Sequence, residues 1–296
     1  MMPERIKRGN TIGLVSPSHV ADSDRYGKVA SVLEGLGYKV KLGVNLFKSE
    51  YGYSASEEER ADDFNAMVLD DEVKMIFFGG GECGNEILPL IDYEALKRHP
   101  KILSSYSDGT NILLAARSMT GLVTYYGQTP GVFEDFRYYD YVQFTAHFTG
   151  YYTGEFIKSS KWRKLNGGSA EGELIGGYGL IFALLLGSKY FTYDRDQEYI
   201  LFLEDHERYA IPGVIGEYLA FIEQSAFFNN VRGLLFGHYS TNESQELFDR
   251  LRRFGEKNDI PVVYCDDFGH GINHAIFPIG AKAKLDADAP GMVFLT

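Results

Sequence analysis

The sequence predicts an α/β protein of two domains, the first built on a parallel sheet. Its 296 residues are about twice a common domain length, enough to bury sizeable cores without metal or disulfide staples. Strand-like and helix-like segments alternate through the first half, the signature of repeated βα units. Apolar residues make up 45% and charged residues 24% of the chain, which suits packed cores and excludes disorder or a fibrous architecture.

Each element has a local reason. Residues 11–16 form a short apolar run ended by Pro17. Asp22 can cap a helix whose apolar residues Val29, Val32, Leu33 and Leu36 recur at helical spacing, and Gly37 closes it. Residues 38–42 alternate like a strand. Ser56 and Glu59 make a capping box, with Phe64, Met67 and Val68 following on one helical face. Residues 73–78 read as a buried strand running into the turn Gly79-Gly80-Gly81. Residues 87–96 read as a helix interrupted by Pro89, 102–106 as a strand, 112–119 as a helix stopped by Gly121, and 122–126 as a further strand. Ligands in such sheets sit at the carboxyl ends of the strands.

From 128 to 164 the pattern gives way to an aromatic and polar stretch. Domains are expected at 1–150 and 169–296, joined by a connector at 151–168 that ends in Asn166-Gly167-Gly168-Ser169. Beyond it, 199–203, 233–239, 262–265 and 292–295 read as strands, and 179–186, 214–227 and 244–254 as helices.

Charge and cysteines narrow the function classes. The 29 basic and 41 acidic residues give a net charge of −12, a poor field for holding nucleic acid or anionic lipid. Cys83 and Cys265 stand far apart with no CxxC, as expected for free thiols in a reducing compartment. Residues 1–10 lack the apolar core of a secretory signal, and the longest apolar run, 180–186, is too short to span a bilayer. A cytoplasmic location is expected.

The sharpest chemical feature is Ser105-Tyr106-Ser107-Asp108-Gly109, where a strand ends and a helix begins. It approaches the nucleophile-elbow pattern, in which small flanking residues permit a tight turn and the Asp108 N–H faces an oxyanion. Against this, Ser107 could simply cap the helix. The glycine turn at 79–81 has three readings: an oxyanion donor, a phosphate cradle or a plain tight turn. Neither phosphate-loop pattern fits it. Among seven histidines, His270 stands out at a strand end between Gly269 and Gly271, suited to an aimed base. A metal pair with His274 would need a helix, which those glycines and Pro278 oppose. The strand 199–203 runs into Glu204 and Asp205, and an orienting acid belongs at such an edge. Glu204 is preferred, with Asp205 and Glu207 as runners-up. Two rivals stay open: a non-catalytic small-ligand-binding module, and an α/β-hydrolase esterase, whose continued βα alternation the second half lacks.

In order along the chain, the motifs resemble those of the LD-carboxypeptidase family of serine peptidases, which includes the microcin-immunity acyl-sulfamoyl-adenylate hydrolases. They are TIGLVSPS at 11–18, SEEERADDFN at 56–65, Gly80-Gly81 with Asn85, LPLID at 88–92, Tyr106-Ser107-Asp108, TGLVT at 120–124, LIGG at 174–177, Leu203-Glu204-Asp205, Gly269-His270 and Pro278-Ile279-Gly280. The set is specific although each piece alone is weak.

The resemblance implies a flavodoxin-like N-terminal domain and a smaller, barrel-like C-terminal domain with the site between them. It implies Ser107 as nucleophile, Glu204 as orienting acid, His270 as general base, and an oxyanion hole from Asp108 with Gly80 or Gly81. It further implies no metal or cofactor, a short-peptide or small-molecule substrate, and a cytoplasmic, usually dimeric protein. Glu82, Tyr178 and Trp162 are candidate substrate contacts, Trp162 by stacking on a flat group such as adenine, with a plain packing role as an equal alternative for it. The chain departs from the family at Ser105, where Gly is frequent, and at Tyr178, where Asn is frequent. Its 81–85 turn looks closer to the immunity branch, which bears on the substrate rather than the chemistry.

Overall fold

A computed structural model describes residues 1–50, 54–206, 211–237 and 244–295. The chain divides into two units, Met1–Tyr151 and Tyr152–Thr296.

The first unit opens with β1 (Thr11–Val15), α1 (Ser23–Gly35), β2 (Lys39–Leu42), α2 (Glu57–Leu69) and β3 (Val73–Phe78). Asp22 accepts the Arg25 N–H at 2.8 Å to cap α1, and Ser56 and Glu59 cap each other's ends of the first turn of α2. Each such cap contributes about 1 kcal/mol. The expected helix across Pro89 is split: a 3-10 turn covers Gly84–Leu90, and α3 (Tyr93–Arg98) restarts behind its own cap, Asp92. Proline lacks the N–H that a continuous helix needs. Then come β4 (Ile102–Ser105), a 3-10 turn at Ser107–Gly109, α4 (Thr110–Thr120), β5 (Thr124–Tyr126) and α5 (Tyr138–Phe144).

Within this unit the strands lie in the order β2-β1-β3-β4-β5, all parallel. That is the flavodoxin-like order, whose switch point falls between β1 and β3. β1, β3 and β4 are buried along nearly their whole length. Phe77 and Phe78 are fully buried, so truncating either to Ala would cost about 3–5 kcal/mol.

The second unit contains β6 (Gly154–Glu155), β7 (Arg163–Asn166), β8 (Ser169–Tyr178), α6 (Gly179–Leu185), β9 (Tyr199–Glu204), α7 (Pro212–Gln224), β10 (Val231–Gly237), α8 (Gln245–Asn258), β11 (Val262–Cys265), β12 (Phe277–Ile279), β13 (Lys282–Asp286) and β14 (Gly291–Phe294). The last two residues of the strand expected at 233–239 lie outside the described residues. The eight-strand order is β6-β14-β13-β8-β9-β10-β11-β7. Its centre, β8 to β11, is parallel, and both flanks are antiparallel. The barrel-like part implied by the resemblance is thus a mixed sheet, in a unit nearly as long as the first.

Two segments differ from their sequence reading. The stretch expected as a connector supplies β6 and β7, which pair with β14 and β11. β8 is a ten-residue strand that its glycines at 172, 176 and 177 conceal, since glycine weakens the strand signal. Among the described residues no helix is long and apolar enough to cross a membrane.

Candidate active site

Ser107 follows the carboxyl end of β4. Its φ is +55°, the left-handed region that a non-glycine residue avoids. Such a backbone costs about 1–2 kcal/mol, so the surrounding contacts must hold it. They do. The Ser107 N–H donates to the Tyr126 hydroxyl at 3.1 Å, and the Thr110 hydroxyl donates to the Ser107 carbonyl at 2.6 Å. Tyr106 and Gly109, the residues that precede this 3-10 turn and α4, make no side-chain cap.

Gly80 lies against the serine: a Cβ built on it would stand 2.9 Å from Ser107 Cβ and 3.5 Å from Oγ. Any side chain at 80 would push the nucleophile candidate out of place. Asp108 is buried and held from three sides. Its Oδ2 accepts from Ser18 Oγ and the Gly84 N–H, both at 2.7 Å, and its Oδ1 accepts from Asn111 Nδ2 at 2.9 Å. Burial raises its carboxyl pKa against the lowering effect of these bonds. The network fixes the backbone whose N–H is the candidate oxyanion donor. Arg60, also buried, ties the neighbouring loops together by donating to the carbonyls of Pro17 at 2.7 Å and Cys83 at 3.2 Å, and to Glu86 at 2.5 Å.

In the second unit Glu204 ends β9 and is fully buried. His270 Nδ1 lies 2.8 Å from its Oε2, with the imidazole side chain 8% exposed. An ionised carboxyl group only accepts, which assigns the shared proton to Nδ1 and leaves Nε2 the basic nitrogen of the neutral ring. Burial acts to lower the His270 pKa. The charge and hydrogen bond of Glu204, a hydrogen bond to the Asp205 backbone and the Asp205 charge more than offset it, and the net shift is upward.

The His270 loop is anchored two residues from β11. Asp267, fully buried, accepts from the N–H groups of Ser159 and Ser160 at 3.1 and 2.6 Å and from the Trp162 indole at 2.7 Å. Phe268 packs near Phe277 and Phe202, at ring distances of 4.5 and 6.2 Å. A Cβ on Gly269 would meet Glu204 Oε2 at 2.9 Å, so only glycine lets the loop come this close. Two rings flank His270 edge-on: His206 at 4.5 Å and Tyr178 at 5.4 Å.

The sequence candidates separate clearly. Glu204 and His270 are brought together, and so are Ser107, Asp108 and Gly80. Glu82 is exposed in the turn after Gly81. Trp162 is 5% exposed, its indole is bonded to Asp267, and Phe156 and Lys158 lie against its ring, the surroundings of a packing residue. His270 and His274 share no helix, because 266–276 contains none. Glu207 and His238 lie outside the described residues. Sequence reasoning missed His206, Ser18, Asn111 and Tyr126, which carry no local motif and act through contacts distant in sequence.

Comparison with known proteins gives this arrangement its class. Residues 12–127 match the LD-carboxypeptidase N-terminal domain and residues 171–285 the LD-carboxypeptidase C-terminal domain. The chain belongs to the LD-carboxypeptidase family and is a hydrolase of the serine-peptidase kind. It is 30% identical to a probable murein peptide carboxypeptidase of Bacillus subtilis, over 96% of this chain and 91% of that one. It is 26% identical to the microcin C7 self-immunity protein MccF of Escherichia coli, over 95% and 91%. The wild-type apo structure of MccF matches with a TM-score of 0.89 at 23% identity, covering 100% of this chain and 98% of that one. At that identity the match shows the fold. Other MccF structures hold glutamyl sulfamoyl guanosine and aspartyl sulfamoyl adenosine. A muramoyltetrapeptide carboxypeptidase from Oxalobacter formigenes matches with a TM-score of 0.83 at 22% identity, covering 96% and 97%.

Proposed function

We propose that the protein is a Ser-His-Glu hydrolase that cleaves an amide bond beside a free carboxylate in a short murein peptide. Ser107 Oγ attacks the carbonyl, and Nε2 of neutral His270 takes its proton. Glu204 holds the ring in the required tautomer and stabilises the imidazolium. The N–H groups of Asp108 and of the Gly80–Gly81 turn stabilise the oxyanion. His270 then returns the proton to the departing amine, and water repeats the cycle on the acyl-enzyme. No metal or cofactor takes part. The protein works in the cytoplasm as a homodimer, without nucleic acid or membrane.

The observation that carries this reading is the left-handed backbone at Ser107. A capping or ligand-binding serine needs no such strain, whereas a nucleophile lifted from a strand–helix junction does. The murein peptide is preferred over an aminoacyl-sulfamoyl adenylate because Trp162, the candidate ring for stacking on a base, is buried. The test is Ser107→Ala, assayed for D-alanine release from murein tetrapeptide and for hydrolysis of aspartyl sulfamoyl adenosine. Turnover of both should vanish. A variant that kept near-parental turnover would remove Ser107 from the mechanism.

A further inference from the structure

The loops after β1 and β3 flank the switch point of the first sheet, and one side chain there has no part in the triad. His19 is half-buried. Its imidazole hydrogen-bonds the backbone of Gly80, and its Cε1 stands 3.7 Å from where a Cβ on Gly79 would lie. The bond favours the protonated ring, so the ring N–H donates and the Gly80 carbonyl accepts. Burial acts more strongly the other way, and with the charge of Arg25 it outweighs this bond and the charge of Asp108. The ring is a neutral donor at neutral pH.

The segment that carries His19 is itself pinned. Ser16 Oγ donates to the His19 carbonyl, Arg60 donates to the Pro17 carbonyl at 2.7 Å, and Ser18 Oγ donates to Asp108 at 2.7 Å. A trans peptide is planar, with its C=O and the following N–H antiparallel. Fixing the Gly80 carbonyl therefore fixes the direction of the Gly81 N–H. A glycine-rich turn does not fix that direction by itself, because its peptides rotate with little steric cost. An oxyanion donor stabilises developing charge only if it is aimed beforehand.

We propose that His19 is a positioning residue for catalysis: by holding the Gly80 carbonyl, it aims the Gly80–Gly81 peptide as an oxyanion donor beside Ser107. The proposal rests on the reading of Ser107 as nucleophile.

Four proteins test it: the parent, Ser107→Ala, His19→Ala and His19→Gln, each checked for a parental melting profile. D-alanine release from murein tetrapeptide gives kcat and KM across pH, and the rate of Ser107 labelling by a small fluorophosphonate gives a readout independent of the natural substrate. His19→Ala should lower kcat and the labelling rate about 10- to 100-fold with KM within about 3-fold, somewhat less than outright deletion of an oxyanion donor. His19→Gln, which keeps an N–H donor, should recover to within about 5-fold of the parent, and the acid limb of the pH profile should stay in place. Parental kcat in His19→Ala overturns the proposal, as does a KM increase that accounts for the loss. Loss of the acid limb in His19→Gln would make His19 the base instead. Turnover that survives Ser107→Ala defeats the nucleophile reading itself. An inactive Ser107→Ala beside a fully active His19→Ala defeats only the role of His19.

Discussion

The two groups of candidate residues, one in each unit, are built by different means. Around Ser107 the work is done by backbone geometry: a left-handed residue, a glycine in contact with it, and a buried carboxyl group saturated with neutral donors. Around His270 it is done by charge: a buried imidazole paired with a buried acid at 2.8 Å. Steric constraints do not titrate, whereas a His–Glu pair does. The first group should fail on added volume. The second should tolerate small changes of volume better and respond to pH.

The largest expected effect lies in the first group. Ser107→Gly should abolish turnover, by about 10⁶-fold as for loss of other serine nucleophiles, yet raise stability by about 1 kcal/mol by relieving the left-handed strain. Paired activity and urea-unfolding measurements check this. A destabilised Ser107→Gly would mean that the backbone there is unstrained.

Next comes Glu204→Gln. It should lower kcat/KM by roughly 10³–10⁴-fold through loss of the correct tautomer. It should also move the acid limb to lower pH, because the charge that opposes burial at His270 is gone. An unmoved limb would assign it to another group.

In the parent, the His270 pKa lies above 6.5, so kcat/KM should fall as pH drops through a value higher than that. Stability runs the other way. A raised folded-state pKa means that the pair's contribution is complete below about 6.5, the unfolded value, and is lost as pH rises through the folded value. Melting curves and rate profiles across this window should therefore slope in opposite senses.

Gly80→Ala sharpens the contrast. Its methyl group would press on Ser107 Cβ at 2.9 Å, so activity should fall roughly 10²-fold with a stability loss of about 1–3 kcal/mol. The smallest effect is expected at Asp267→Asn. It keeps the shape but loses the charge that three N–H donors share, for about 1–3 kcal/mol in denaturant titration, with a milder loss of rate.

Much of the first unit was legible because its signals are local. Asp22, the Ser56–Glu59 box and the glycines at 37 and 121 mark helix ends through neighbours in sequence, and buried runs such as 73–78 declare themselves as strands. The second unit was less legible. β8 is masked by glycines, and β6 and β7 are too short and polar to read as strands until their partners are known. Trp162 could be read either as a stacking or as a packing residue, because aromatic character is visible in sequence and burial is not.

By itself, the sequence determined the βα alternation of the first half, the placement of a serine, an acid and a histidine at strand ends, and the family motifs that join them. Only the tertiary structure decided that Glu204 is the acid bonded to His270, that Asp267 anchors the histidine loop from 105 to 108 residues away, and that His19 reaches Gly80. The reason is physical. Caps, turns and periodicity act over a few residues of chain, but a hydrogen bond between strand-end loops depends on which strands lie side by side, and the fold as a whole sets that order.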